Sequence, residues 1–371
     1  MEKQSILIIG GGIGGLTSAI ALRRRGHTVT IIEKDPNWAV YGVGIIQQAN
    51  VVRAMTELDL IDDYLDAGFG FDNVDLFTPA GTHAVTLTTP RLVDGLPANV
   101  GIGRRALHEV LGRRAKQAGA QVRLGVTATS LSDDGTAVTV VFSDGKVETY
   151  DIVIGADGLY SQTREQIFPQ STRPEFTGQS VWRYNFVRPD DMTSLWAFEG
   201  DIGLGMVPLA HDLMYMFITT PEPGNPRYPV AGLADAMRSK LKAAPPSIAL
   251  FRDQITDDAG VVYKPLEWVL VEGDWHRGRV VLLGDAVHAT TPHLGQGAGM
   301  AIEDSIVLAD EISLHDTPEA AFTAFRARRF ERCEYIVKSS LALCRSQLGQ
   351  GPRIEQAGAT RDMFHVVAQP I

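Results

Sequence analysis

The chain has 371 residues, with 44 acidic and 34 basic side chains and a formal net charge of −10. This acidic balance argues against a protein that binds duplex nucleic acid, because such binding depends on clustered lysine and arginine. Apolar residues make up 44% of the chain, which excludes a disordered protein and, at about 150 residues per domain, predicts two or three globular domains. The apolar runs are far shorter than the ~20 residues of a membrane span, so we expect no membrane partner.

Residues 5–33 predict a βαβ unit. Ser5–Ile9 is a continuous apolar run, which is typical of a strand buried on both faces. Apolar residues at helical spacing follow over Leu16–Arg25, and the basic residues before Gly26 mark the end of that helix. Thr28–Glu33 is the second strand.

The turn between the first strand and the helix carries a glycine pattern. Gly10, Gly12 and Gly15 satisfy G-x-G-x-x-G, whose glycines allow a tight turn, a close approach to a pyrophosphate and helix–strand packing. Glu33 ends the next strand, 18 residues after Gly15, where a carboxylate can accept hydrogen bonds from both ribose hydroxyls. The alternative is a glycine-rich turn with a surface glutamate, and the pattern alone does not separate FAD from NAD.

The central part of the chain changes from a β-meander to a sheet rich in aromatic residues and methionine. The predicted meander strands are Val122–Leu131, Ala137–Phe142 and Lys146–Tyr150, and Asp151–Gly155 is another buried parallel strand. The predicted elements between 176 and 283 are the strands Val181–Val187, Gly203–Pro208 and Leu213–Thr219, a helix near Ala231–Ala243 and the buried strand Arg279–Leu283. After Gly299 the chain is predicted to be helical.

Two further segments rich in functional residue types follow buried strands. Asp157-Gly158 follows Asp151–Gly155, with Ser161 and Arg164 further on, and alone this segment would favour Asp157 as an ordinary helix cap. Gly284-Asp285 follows Arg279–Leu283, where a carboxylate can accept hydrogen bonds from a polyol. Gly295–Gly299 then leads into a helix, whose positive end stabilises negative charge.

Together, the three segments resemble the group A FAD-dependent monooxygenases, the para-hydroxybenzoate hydroxylase-like family of aromatic hydroxylases. That family carries G-x-G-x-x-G with a downstream glutamate, an internal D-G-x-x-S-x-x-R segment and a late G-D-A-x-H…P…G-Q-G segment. All three occur here in that order. The string GQGAGMAIED at Gly295–Asp304 is similar to the branch that contains salicylate, urate and alkyl-quinolone hydroxylases.

The resemblance implies an α/β fold, in which a Rossmann-like FAD-binding domain of GR2 type is interleaved with a β-sheet substrate domain, plus C-terminal helices. The expected division is an FAD-binding domain at 1–75, 98–175 and 276–315, a substrate domain at 76–97 and 176–275, and a C-terminal helical segment at 316–371.

The resemblance also implies roles for individual residues. Arg104 and Asp285 would reach the ribityl chain or pyrophosphate, and Asp157 would lie near the pyrophosphate and serve transient NAD(P)H binding. Pro292 would face the isoalloxazine ring where oxygen reacts. The full set expected to bind FAD is Gly10, Gly12, Ile13, Gly14, Gly15, Glu33, Lys34, Arg104, Val126, Asp157, Asp285, Pro292, Gly295, Gln296, Gly297 and Ala298. His288, Glu303 and Asp304 also match the family, with structural roles expected.

The expected catalytic residues are Pro292 and Tyr215, and the expected substrate contacts are Gln47, Arg183, Tyr215 and Pro292. Tyr215 follows Pro208 by seven residues, a spacing that resembles the urate hydroxylase branch. Relatives often read Gly-x-Gly-Ile-x-Leu-x-Pro-Asn where this chain has Gly42–Asn50, with glutamine at 47 and alanine at 49. Gln47 could address a heteroaromatic substrate or could equally lie on a helix surface, and each substrate candidate could instead be a core residue.

The implied reaction uses bound FAD, NADH or NADPH as a transient co-substrate, and O2. A flavin C4a-hydroperoxide would transfer one oxygen atom to a small aromatic or N-heteroaromatic, phenol-like ring. The alternatives are an isoprenoid epoxidase or related flavin reductase, and a non-catalytic FAD-binding protein.

The remaining expectations concern metals, compartment and assembly. No group of residues has persuasive metal-ligand spacing, so no metal is expected. Cys333 and Cys344 lie eleven residues apart in one predicted helix, roughly 16 Å along its axis and too far for a disulfide. Two free thiols predict a cytoplasmic protein. The sequence leaves monomer and homodimer open.

Overall fold

The strands and helices follow the sequence pattern in the residues that the structure describes, which are 1–40, 42–200 and 202–371 of a computed structural model. The strands are β1 (Ser5–Ile9), β2 (Thr28–Glu33), β3 (Gly44–Gln47), β4 (Gly68–Phe71), β5 (Asn73–Phe77), β6 (His83–Thr88), β7 (Asn99–Gly103), β8 (Gln121–Leu124), β9 (Ala128–Asp133), β10 (Val138–Phe142), β11 (Val147–Tyr150), β12 (Ile152–Gly155), β13 (Glu175–Val187), β14 (Leu195–Phe198), β15 (Gly203–Pro208), β16 (Leu213–Pro221), β17 (Val262–Trp268), β18 (His276–Arg277) and β19 (Val280–Leu282). The helices are α1 (Ile13–Arg24), α2 (Ala49–Glu57), α3 (Ile61–Asp66), α4 (Arg104–Gln117), α5 (Gln162–Ile167), α6 (Leu233–Lys240), α7 (Pro246–Arg252), α8 (Asp285–His288), α9 (Gly297–Leu314), α10 (Pro318–Gln347) and α11 (Gln356–Val367).

A mostly parallel sheet forms the centre of the fold, in the order β18-β19-β12-β1-β2-β8. Every neighbouring pair is parallel except β18 with β19. Its strands are short apolar runs because both faces are covered, and Ile6, Leu7 and Ile8 are fully buried in the largest hydrophobic core. The predicted α/β class with a Rossmann-like sheet is therefore confirmed, and so are the C-terminal helices.

A second, seven-stranded sheet has the order β17-β13-β16-β15-β14-β5-β6. Along β13, side chains alternate between its two faces. Trp182 and Tyr184 pack into a separate core with residues of α6 and α7. Arg183 and Asn185 project from the opposite face, where the Asn185 amide donates to the carbonyl oxygen of Gly42 at 2.6 Å. We call this opposite face of β13, β16 and β17 the inner face.

One predicted strand is wrong. Val122–Leu131 is two strands, because the chain bends at Gly125, which has a φ of +70°. β8 continues the parallel sheet beside β2, whereas β9 pairs antiparallel with β10 in a separate three-stranded sheet. An apolar run with one glycine reads as continuous, but here the glycine lets the chain leave one sheet for another.

The strands that share a sheet come from distant parts of the sequence. β5 and β6, between residues 73 and 88, join the seven-stranded sheet with β13–β17. β18 and β19, between residues 276 and 282, return to the parallel sheet. This interleaving is of the kind that the sequence predicted, and the exact division into domains stays a prediction.

The C-terminal half ends in helices packed on the parallel sheet. α9 is buried over most of its length, and α10, which carries both cysteines as free thiols, lies against it. Among the helices of the described residues, none combines the length and the apolar content that crossing a bilayer requires.

Candidate active site

The carboxyl ends of β1, β12 and β19 lie side by side and carry the three segments that the sequence singled out. Gly10 follows β1 with a φ of +111°, and a Cβ atom there would lie 2.4 Å from the carbonyl oxygen of Ala156. A Cβ on Gly15 would lie 2.0 Å from the carbonyl oxygen of Gly10. Both positions therefore require glycine for strand and helix packing.

Gly12 is different, because its missing side chain faces open space. A Cβ there would have no heavy atom within 4 Å, and the residue is exposed. Gly12 is also the N-cap of α1, which has neither a side-chain cap nor an acidic residue in its first turn. The N–H groups of this helix end are thus left for an anion from outside the chain.

Glu33 ends β2 beside this turn. Its carboxylate accepts the N–H of Gly11 at 2.9 Å and the N–H of Asp35 at 2.9 Å, one on each oxygen. Each oxygen keeps further acceptor capacity for a ribose hydroxyl. Val126 lies next to Glu33, to whose carbonyl oxygen its N–H donates at 3.0 Å, whereas Lys34 is exposed.

Trp38 is a residue that sequence reasoning missed. Its indole N–H donates to the carbonyl oxygen of Gly11 at 2.9 Å, and its ring meets the edge of His108 at 4.9 Å between centroids. The ammonium of Lys116 lies 5.1 Å from the ring centroid. In the sequence, Trp38 follows the strand-end Glu33 by five residues, and this spacing was the available signal. In the structure, the Trp38 ring lies beside the glycine turn.

The second segment, Asp157–Arg164, is held together by hydrogen bonds between its own residues. The carboxylate of Asp157 accepts the hydroxyl and the N–H of Thr163, both at 2.9 Å, and also the hydroxyl of Ser161. Ser161, rather than Asp157, is the N-cap of α5. The buried Arg164 donates to the carbonyl oxygen of Ala286 at 2.7 Å, which fastens this segment to the third one. Asp157 nevertheless stays beside Gly10, since a Cβ on Gly10 would lie 3.1 Å from its Cα.

Asp285 lies at the carboxyl end of β19. Gly284 has a φ of +62° and leaves room for Ala301, after which Asp285 begins α8. Asp285 is exposed, yet the surrounding protein desolvates its carboxyl group and raises the pKa of that group. We call the area at the sheet ends around Gly12, Asp157 and Asp285 the sheet-end recess.

Arg104 links the sheet-end recess to the inner face. Arg104 is the first residue of α4. Its positive charge lowers the pKa of the Asp285 carboxyl group, and it also lowers the pKa of the Arg183 guanidinium. The same charge also acts on the phenol of Tyr215. The structure thus brings together four residues that the sequence selected from separate regions: Arg104, Arg183, Tyr215 and Asp285.

Pro292 begins a short 3-10 turn, Pro292–Leu294, and is exposed. Gly295 follows with a φ of +67°, and Gln296 caps α9 without a side-chain cap bond. The amide of Gln296 is buried and bonded to Asn50 and Gln48. The Gln296 side chain is therefore taken up by contacts within the protein, and binding of a ligand by backbone groups of Gly295–Ala298 stays a prediction.

Beneath this turn lies a fully buried ion network. Asp304 accepts His288 Nε2 at 2.6 Å, the N–H of Gly284 at 3.0 Å and Arg329 Nε at 2.8 Å. Arg329 also donates to Glu303 at 2.7 Å. Burial alone would raise the pKa of Asp304, but His288 and Arg329 lower it to about 2. His288, Asp304 and Cys333 come within 4.8 Å, a spacing open to a metal ion, but the Arg329 guanidinium already supplies positive charge there.

His293 connects the Pro292 turn to two other parts of the chain. Its Nδ1 lies 2.9 Å from the Thr291 hydroxyl, and its Nε2 lies 3.1 Å from Oε1 of Gln347 at the end of α10. The same Gln347 oxygen accepts from Gln179 at 3.0 Å and from Thr219 at 3.2 Å, on the seven-stranded sheet. Sequence reasoning missed this role, because nothing in the pattern pairs residues 293 and 347.

We expect His293 to make the fold less stable in acid. Burial lowers the pKa of His293 to about 4, so between that value and the unfolded value near 6.5 the unfolded chain binds the extra proton and stability rises with pH. The free energy of unfolding should fall by up to about 3 kcal/mol from pH 7 to pH 4. The His293→Asn variant, measured by urea unfolding across this range, should show a shallower slope. Burial also lowers the pKa of His27 and His276. If the His293→Asn variant loses stability with falling pH as steeply as the wild type, the pH dependence comes from His27 and His276 and not from His293.

The predicted substrate residues differ in their surroundings. Tyr215 is 4% exposed on the inner face, and its ring is packed so closely on β3 that a Cβ on Gly44 would lie 2.2 Å from it. Arg183 is half-buried beside it on β13, and the charge of its guanidinium lowers the pKa of the Tyr215 phenol. Gln47 is 1% exposed, and neither its amide nitrogen nor its amide oxygen has a hydrogen-bond partner.

These residues fit an extended dinucleotide cofactor. An uncapped helix end with an open glycine suits a pyrophosphate, a recessed carboxylate suits a polyol, and a second uncapped helix end at Gly297 suits a ring oxygen that gains negative charge.

Comparison with known proteins gives the same result. A family profile described as FAD binding domain matches residues 3–337. Aurachin C monooxygenase/isomerase of Stigmatella aurantiaca is 30% identical, covering 93% of this chain and 90% of the relative. The 6-hydroxynicotinate 3-monooxygenase of Pseudomonas fluorescens is 29% identical and covers 91% of both chains. Tomato zeaxanthin epoxidase is 31% identical over 86% of this chain, but only 50% of that relative is covered.

The fold also matches a solved structure. Klebsiella pneumoniae HpxO complexed with FAD and uric acid superposes with a TM-score of 0.82 at 24% identity, covering 98% of this chain and 92% of that chain. With the three glycine-containing segments at the sheet ends, and a family match over nearly the whole chain, the protein belongs to the FAD-dependent monooxygenases of the aromatic hydroxylase family.

Proposed function

We propose that this protein hydroxylates a small aromatic or N-heteroaromatic ring, with FAD as bound cofactor, NADH or NADPH as reductant and O2 as oxygen source. The observation that carries the proposal is the continuity of the site: Arg104 acts on Asp285 in the sheet-end recess and on Tyr215 and Arg183 of the inner face. A ring held on the inner face would thus lie next to the cofactor groove. One relative is named 6-hydroxynicotinate 3-monooxygenase, after a heteroaromatic compound, and the HpxO structure is a complex with uric acid. Both support a ring substrate.

The residues proposed to hold FAD fall into three groups. Gly10–Gly15 and the end of α1 would receive the pyrophosphate, Glu33 with Lys34 and Val126 would receive the adenosine, and Arg104 with Asp157 and Asp285 would bind the ribityl chain or pyrophosphate. Pro292 and the backbone of Gly295–Ala298 would border the flavin ring. FAD, when bound, supplies the oxidation–reduction chemistry.

The protein's own contribution is to position the substrate and exclude water. Burial raises the pKa of the Tyr215 phenol, although Arg183 and Arg104 oppose that shift. Tyr215 therefore keeps its proton at neutral pH and can donate a hydrogen bond to an oxygen or nitrogen of the ring. Pro292 offers an apolar surface without an N–H donor. Gln47 stays a proposed substrate contact, and its two unpartnered amide atoms support that role.

The isoprenoid epoxidase is the second candidate, and the zeaxanthin epoxidase relative favours it. The inner face argues for a polar ring, because it presents Arg183, Asn185 and Tyr215 where a long hydrocarbon would need an apolar lining. A non-catalytic FAD-binding protein would not need these side chains. We further propose a cytoplasmic location and a monomeric or homodimeric state.

The test starts from purified protein, which should be yellow with FAD near one equivalent per chain. Phenols, salicylates, hydroxypyridines and quinolones are then screened for stimulated NADH or NADPH oxidation under ¹⁸O₂, with products examined by mass spectrometry. One ¹⁸O atom in a hydroxylated ring is the expected result. Oxidation of NAD(P)H with no labelled product from any ring rejects hydroxylation, and protein that takes up no FAD rejects the proposed cofactor site.

A further inference from the structure

A cavity lies between α10 and the segments that follow α5 and β17, outside the sheet-end recess. Its volume is about 1230 Å³, and pockets of about 300–1,000 Å³ hold most drug-sized ligands. None of the described residues that line it belongs to the sets proposed to contact FAD or the substrate. We call it the α10 cavity and define it by Phe168, Trp268, Arg277, Leu341 and Arg345.

Apolar side chains form much of the wall of the α10 cavity. Leu270 and Leu341 line it from two different segments of the chain. Phe168 and Trp268 also line it, and both of these aromatic residues are half-buried. Covering exposed aromatic surface with an apolar group is favourable, because that surface is removed from water. The α10 cavity therefore favours a ligand with an apolar body.

Two arginines supply positive charge to the α10 cavity. Arg277 lies on β18 and donates to the carbonyl oxygen of Ile167 at 3.2 Å. Arg345 lies on α10, four residues after Leu341 and seven after Lys338, so these three side chains share one face of the helix. In the part of the chain that the structure describes, neither arginine forms an ion pair. A guanidinium of this kind can donate two parallel hydrogen bonds to a carboxylate.

Carboxylates also line the α10 cavity, and they reduce its positive charge without cancelling it. Glu272 is paired with Lys338, whose Nζ lies 3.8 Å from Oε1 of Glu272 and 2.7 Å from Oε1 of Glu334. Asp274 is the other acidic side chain among the described residues that line the cavity. Two arginines and one aspartate then leave an excess of positive charge, which attracts an anion.

We propose that the α10 cavity binds an amphipathic organic anion, whose apolar body packs against Trp268 and Leu341 and whose acidic head group is attracted by Arg277 and Arg345. Acids with an alkyl body and acids with a ring body share this chemistry. The ligand is distinct from the ring substrate proposed above, because the inner-face residues proposed to contact that substrate do not line the α10 cavity.

Isothermal titration calorimetry of the holoenzyme measures the binding of matched acids and neutral analogues. The pairs are decanoate with decanamide, which have an alkyl body, and 2-naphthoate with 2-naphthamide, which have a ring body. For at least one pair, the acid should bind about 10- to 100-fold more tightly, because the amide lacks the charge that the arginines attract. The pair that responds identifies the apolar body.

Two variants assign this binding to the α10 cavity. The double variant Arg277→Gln, Arg345→Gln should bind acid and amide equally. Ala342→Trp should bind neither, because Ala342 lines the cavity from α10 and the indole ring would fill it. The matched controls are Arg361→Gln and Ala327→Trp, at exposed positions outside the cavity, and both should keep the wild-type affinities. Thermal unfolding checks each variant, and the double variant decides alone if Ala342→Trp does not fold.

The proposal is overturned if the wild-type holoenzyme binds none of the acids, or binds each acid and its amide equally. Unchanged acid binding in Ala342→Trp, or an unchanged preference for acids in the double variant, would place the ligand elsewhere on the protein. Acid binding that weakens as the protein concentration rises, with dimers seen by sedimentation, would make a second copy of the chain the occupant. The proposed hydroxylation is judged separately, by ¹⁸O in the product.

Discussion

Replacement of Arg329 by methionine is expected to lower the free energy of unfolding by about 3–5 kcal/mol, an exceptionally large effect for one side chain. Arg329, Glu303 and Asp304 are all fully buried, and the guanidinium bonds both carboxylates at 2.7 and 2.8 Å. Without it, two carboxylates remain in the core, and the cationic side chains that still pair with them among the described residues are His288, Arg53 and Arg332. A buried charge that loses its partner keeps its full desolvation cost.

Guanidinium chloride unfolding, with FAD held at one fixed excess, measures the effect. Lys338→Met is the matched control on the same helix, because Lys338 is 57% exposed and pairs with Glu334 at the surface. That variant should unfold at the wild-type denaturant concentration. An Arg329→Met variant within about 1 kcal/mol of the wild type would show that the carboxylates do not depend on the guanidinium.

Gly12→Ala is expected to bind FAD about 10- to 100-fold more weakly while folding as the wild type does. Nothing in the protein lies within 4 Å of the added methyl group, so the substitution costs no internal contact. The methyl group would instead occupy the space in front of the uncapped α1, where the pyrophosphate is proposed to accept N–H groups. Charge-assisted hydrogen bonds of this kind are the ones lost.

Fluorescence titration of the apoprotein with FAD, together with thermal unfolding of the apoprotein, separates binding from folding. Gly351→Ala is the matched control, since a Cβ there also meets nothing within 4 Å, and FAD affinity should not change. Gly15→Ala offers a contrast: its Cβ would lie 2.0 Å from the Gly10 carbonyl oxygen, so this variant should lose stability. Normal FAD affinity in Gly12→Ala would contradict the proposed pyrophosphate position.

The parallel sheet and its glycine turns were predictable because each strand end carries a local signal. Ser5–Ile9 and Arg279–Leu283 are apolar runs followed by glycine, and Asp151–Gly155 is an apolar run that ends in glycine. All three form central strands of one sheet. The order of those strands was not written in any single segment. The family resemblance implied a Rossmann-like domain but no strand order was predicted, since strand pairing depends on contacts between distant parts of the chain.

Contacts made across the fold could not be predicted from the sequence. His293 and Gln347 lie 54 residues apart and meet only because α10 returns to the Pro292 turn. Trp38 stands in a short irregular segment, so no periodicity indicates where its ring points. Arg183 was selected as a candidate from its residue type alone, and only the strand register assigns it to the inner face.

In the proposed FAD site, the side-by-side ends of β1, β12 and β19 also set when a nascent chain can first hold its cofactor. These strands begin at Ser5 and end at Leu282, and the uncapped end of α9 follows at Gly297. No early portion emerging from the ribosome therefore contains the complete groove. Pairings this distant in sequence form slowly, because the long intervening loops must close first. FAD can then stabilise only the assembled parallel sheet, by mass action on the folded state, and the supply of flavin becomes a determinant of how much of the newly made protein survives.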